Sequence, residues 1–97
     1  MRDDLMLKRV MFRVAVARCL IKEFRKHGIP TELKIKTDAT QDCPNIGVQA
    51  SHITMEINDS EICFGRLGLK NHAGVAISDP SCFESVVKHV KDWMEAI

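Results

Sequence analysis

Hydrophobic and polar positions follow two different periods along this chain, and the places where one period gives way to the other divide it into elements. From Asp4 to His27 there is no Gly or Pro, and Leu, Met, Ala, Arg and Lys are dense, which predicts a long helix. His27-Gly28-Ile29-Pro30 marks its end. Gly28 suits the left-handed position after a helix, Ile29 can pack back on the last turn, and Pro30 cannot continue it. On a helical wheel Met6, Val10, Val14, Ala17, Ile21 and Phe24 form one apolar stripe, expected to face the core. Leu5, Phe12, Val16 and Cys19 form a second stripe, more than about 100° away.

Beyond Pro30 the period shortens to two. Residues Thr31 to Thr37 alternate, with Leu33 and Ile35 on one face and Glu32, Lys34 and Lys36 on the other, the pattern of a half-buried strand. Asp38 to Asn45 is polar and reads as a mobile loop. Ile46, Val48 and Ala50 share one parity and Ile53, Met55 and Ile57 the other, which predicts a strand that shifts phase at a bulge near Ser51 and His52. Asn58-Asp59-Ser60 is a hairpin turn, Ile62 to Leu69 a third strand, Lys70 to Gly74 a second turn and Val75 to Ser78 a short last strand.

Asp79 is a candidate N-cap with Pro80 at the first helical position. Phe83, Val86, Val87, Val90, Trp93, Met94 and Ile97 then follow the spacing of a single apolar stripe. Short turns between the later strands demand antiparallel neighbours. The expected architecture is a single α+β domain over residues 1–97. It is a two-layer sandwich with both helices on one face of an antiparallel sheet of three to four strands. Its core should include Phe24, Leu33, Ile35, Ile57, Val86, Val90 and Trp93.

Composition narrows the function classes. With 97 residues, 45% hydrophobic and 28% charged, the chain is long enough for one core and too apolar for a disordered tail. The longest uninterrupted apolar run is Val14 to Ala17, far short of the roughly 20 residues of a membrane span. Asp3, Asp4, Lys8, Arg9 and Arg13 break up any secretory leader, so a cytoplasmic location is expected, with Cys19, Cys43, Cys63 and Cys82 as reduced thiols. No Cys or His spacing puts two metal ligands on one turn, and no cofactor is expected.

An enzyme would need a nucleophile with its base, a carboxylate pair or a phosphate-cradling loop. Cys43 with His52 or His72, or Asp38, Asp42, Glu56 and Asp59 around a cation, can be drawn but carry no specific spacing. Two surfaces carry more. The second stripe, Leu5, Phe12, Val16 and Cys19, has no third layer to cover it, which points to a homodimer interface. Charge is the other asymmetry: residues 1–36 hold ten Lys and Arg against four Asp and Glu, the remainder four against nine. Lys8, Arg18, Lys22, Arg25 and Lys26 gather on one helix face that could meet an acidic protein or nucleic acid. Strand aromatics for stacking on bases are limited to Phe64, and acid and Pro occupy 79–83, where a double-stranded-RNA-binding domain needs a basic helix start. The pattern therefore favours a non-enzymatic interaction module that self-associates through its first helix. Nucleic-acid binding by the basic face is the alternative, with small-molecule binding or catalysis third.

Overall fold

The computed structural model describes residues 2–37, 44–66 and 72–95. In chain order they form α1 (Arg2–Lys26), β1 (Glu32–Lys36), β2 (Asn45–Ala50), β3 (Ile53–Ile57), β4 (Glu61–Arg66), β5 (His72–Ala76) and α2 (Cys82–Glu95). The strands make one antiparallel sheet in the order β1-β2-β3-β4-β5. Both helices cover the face that carries Ile46, Val48, Ala50, Ile53, Met55, Ile57, Ile62 and Phe64, all buried. Lys34, Lys36, Thr54 and Glu56 lie on the opposite, exposed face.

The sheet has five strands because the expected bulge is a hairpin. Ala50 pairs with Ile53 across the two-residue turn Ser51-His52, and Ser51 takes a left-handed φ of 57°. A two-residue turn pairs even positions with odd ones, so the change of parity that suggested a bulge is the mark of the turn itself. The next turn is built by Asn58, whose Oδ1 accepts from the N–H of Ser60 at 2.9 Å and of Glu61 at 2.8 Å. Gly74, expected in a turn, is a strand residue opposite Cys63. The loop expected at 38–45 gives up Asn45 to β2, and its residues 38–43, Cys43 among them, lie outside the described residues.

Helix α1 stops as its sequence requires. The N–H of Ile29 donates to Phe24 O and that of Gly28 to Arg25 O, both at 3.0 Å, while Gly28 has φ 69° and Ile29 and Phe24 are buried. These are the two bonds and the apolar contact of a Schellman stop. At the other end of the domain Asp79 Oδ1 accepts from the N–H and hydroxyl of Ser81, each at 2.9 Å, and these bonds hold the Asp79 carboxyl below its ordinary pKa. Regular α2 begins two residues after Pro80, at Cys82.

The buried line of α1 is Arg13, Val16, Ala17, Leu20 and Phe24, rotated from the expected stripe. Val10, Val14 and Ile21 sit on its flank, half-buried, and Met6 is exposed. A charge at the N-terminal end of the buried line disguised the register. Arg13 is only 7% exposed, and its Nε donates to Asp59 Oδ1 in the β3–β4 turn at 3.0 Å. Ile35, expected in the core, is 56% exposed because β1 is the sheet edge and α1 packs chiefly over β2. Leu33 and Trp93 are partly buried, and Trp93 and His89 of α2 pack against Phe64 with ring centroids 5.3 and 5.4 Å away.

Candidate functional site

A mismatch of lengths creates the main surface feature. At about 1.5 Å per residue the 25 residues of α1 run roughly 37 Å, whereas strands of five or six residues run about 17–20 Å. One end of α1 must therefore overhang the sheet. Its C-terminal half is fixed over the core by Leu20 and Phe24, and Arg9 and Arg13 both bond Asp59 at the sheet's end, so the overhang is N-terminal. Helix α2 does not cover it either. Lys91 Nζ lies 3.5 Å from His27 Nδ1, so α2 packs beside the C-terminal part of α1.

The overhang carries apolar side chains round most of its circumference, interrupted by Asp4, Lys8 and Arg9. Successive residues step about 100° round a helix, so Leu5-Met6-Leu7 and Val10-Met11-Phe12 each span about 200° of the circumference and together reach most of it. Leu5 is 65% exposed and Met11 62%, with Met6, Leu7 and Phe12 also open. Among the described residues these five and Ile35 are all the exposed large hydrophobics. Contiguous patches of several hundred Å² are uncommon on soluble monomers and usually mark partners. Of the interface residues expected from sequence, Leu5, Phe12 and Cys19 are exposed, while Val16 is buried in the core and is not available to a partner. Leu7 and Met11, exposed beside them, fit neither stripe, and the feature of the sequence that marks them is the run of apolar residues round the first three turns.

Lys8, Arg18, Lys22, Arg25 and Lys26 all lie exposed on the side of α1 opposite the core. Lys26 Nζ is 3.4 Å from Glu23 Oε2. The other four form no ion pair among the described residues.

Catalytic chemistry finds less support in the geometry. The Cys63 thiol donates to Glu61 Oε1 at 3.3 Å; burial first, then that bond and the charges of Glu61 and Glu56, raise its pKa and keep it protonated. Burial raises the Cys82 thiol as well. Asp59 is committed to Arg9 and Arg13. Among the described residues no group of three or more His, Cys, Asp or Glu could hold a metal ion, and no helix is long and apolar enough to cross a membrane. No protein-family model, no curated protein and no solved structure matches the chain.

Proposed function

We propose that the protein is a non-enzymatic interaction module that binds a second copy of itself through the overhanging turns of α1. The observation that carries this reading is the concentration of exposed large hydrophobics in Leu5, Met6, Leu7, Met11 and Phe12. Fully burying an exposed Leu, Met or Phe side chain contributes about 1.5–3 kcal/mol before association costs are subtracted, and the five, between 36% and 65% exposed, can each supply part of that on both chains. Flexible Met side chains adapt readily to such a surface. The free thiols Cys19, Cys63 and Cys82 fit a reducing, cytoplasmic setting. Sedimentation velocity tests the reading: Met11→Glu and Phe12→Asp should dissociate the assembly and leave a folded chain, whereas Ala15→Glu, on the solvent face, should not. Equal association by all three variants would remove the overhang from the interface.

A second reading, nucleic-acid or acidic-protein binding, rests on the exposed cations Lys8, Arg18, Lys22 and Arg25. It requires binding to DNA or heparin that weakens steeply as salt rises. The apolar surface favours the first reading, because a helix face turned to water is ordinarily charged and an apolar overhang is not ordinary.

A further inference from the structure

We infer that the notch between β1 and the flank of α1 binds an extended peptide segment of a partner protein, which joins the sheet as a further strand antiparallel to β1. Strand β1 has β2 as its sole neighbour in the sheet, so the N–H and C=O groups on its outer side have no partner within the sheet. Such an edge is a template for another strand. The two helices leave the same edge short of cover, because α1 packs chiefly over β2 and α2 lies toward β5. Leu33 and Ile35 pair with the buried Val48 and Ile46 and so share the helix-covered face, yet Ile35 is 56% exposed and Leu33 only half-buried. Val14 and Ile21, also half-buried, overlook them from the flank of α1 opposite Glu23, which lines the groove shared with Glu84 and Lys88 of α2.

Apolar side chains and charge define the segment. Alternate residues of an added strand point to opposite faces. Those on the helix side must be apolar, because they meet Leu33 and Ile35 beneath Val14 and Ile21. Those on the open side meet Glu32, Lys34 and Lys36. Lys34 Nζ is held 3.2 Å from Glu32 Oε2, while Lys36 forms no ion pair among the described residues. Unlike charges directly opposite stabilise a strand pair and like charges destabilise it. The edge therefore selects an acid opposite Lys36, a small polar residue opposite Lys34 and a base opposite Glu32. Read along the incoming strand, the class is acid, apolar, polar, apolar, base, with β-branched apolar residues suiting it best. A second copy of β1 is the poorer occupant, since antiparallel pairing centred on the strand would set Lys34 against Lys34 and part the two overhangs. The other edge, β5, exposes no large hydrophobic among the described residues.

The acetylated and amidated peptide Glu-Val-Thr-Val-Lys tests the proposal, with calorimetric titration reading affinity and hydrogen exchange reading place. It should bind and slow the exchange of the β1 amides that point outward. Of two versions methylated at alternate main-chain nitrogens, one should lose binding and the other keep it, because only one edge of the peptide faces β1. Lys36→Glu should weaken binding about tenfold, and a peptide that begins with Lys should regain the loss on that variant. Circular dichroism melting checks that each variant is folded. The proposal does not rest on self-association, and Met11→Glu should bind the peptide as wild type does. Absence of binding, binding indifferent to methylation or to Lys36→Glu, or loss of binding by folded Met11→Glu overturns it. Protection of β1 that grows with protein concentration in the absence of peptide marks the edge as a contact between copies and overturns it as well.

Discussion

Arg13 Nε and Asp59 Oδ1 are 3.0 Å apart across 46 residues of sequence, and this bond fixes how far α1 projects beyond the sheet. Arg9 Nε bonds the other carboxylate oxygen at 3.0 Å. Hydrogen bonds from Arg13 and then Arg9 hold the Asp59 carboxyl below its ordinary pKa. The folded protein therefore binds this proton less readily than the unfolded chain. Its contribution to stability is complete above the ordinary carboxylate value near about 4 and is lost as pH falls toward the depressed folded value. Asp59→Asn should lower Tm at neutral pH, and its deficit should shrink as wild type is acidified below about pH 4. A deficit that stays constant in melts from pH 7 to pH 2 would contradict the link.

Arg13→Leu should cost less than Asp59→Asn. Removing the buried cation leaves Asp59 with Arg9 and half in water, whereas removing the anion strands a guanidinium that is 7% exposed. Denaturant midpoints for the two variants decide the order, and a reversed order would mean that Arg13 matters for its packing and not for its charge.

Gly47 sits where β2 and β3 approach closely. A Cβ there would lie 2.8 Å from the main-chain O of Met55, so the strand itself would have to move. Gly47→Ala should destabilise the domain by about 1–3 kcal/mol in urea melts, the cost of overpacking. Wild-type stability would show that the strands yield without cost.

The sheet and α2 meet at Phe64, which is buried against Trp93 and His89. Phe64→Ala should cost about 3–5 kcal/mol. Val90→Asp, which puts an unpaired charge at a fully buried position, should abolish the cooperative melt. A retained melt for Val90→Asp would take Val90 out of the core.

Much of the architecture is legible in the sequence because it is written locally. The Gly28 stop, the Asn58 turn, the Asp79 cap and the alternation of Leu33 to Met55 each depend on neighbours a few residues away, and each predicted its element. What the sequence hides is long-range. Arg13 looks like a surface residue until the β3–β4 turn brings Asp59 to it at the sheet's end, and without Arg13 on it the buried line of α1 is misjudged. That error placed Val16 in a partner surface and Met6 in the core. Ile35 has the parity of a core residue, and only the strand order shows that it stands on the edge. The overhang likewise follows from comparing helix length with strand length, a relation no single segment carries.

Light scattering across a concentration series tests the central claim, that the overhanging turns of α1 bring two chains together. Wild type should give twice the 11.0 kDa of one chain and dilute toward a monomer, with Met11→Glu at 11.0 kDa throughout. A wild-type mass of 11.0 kDa at millimolar concentration would contradict it.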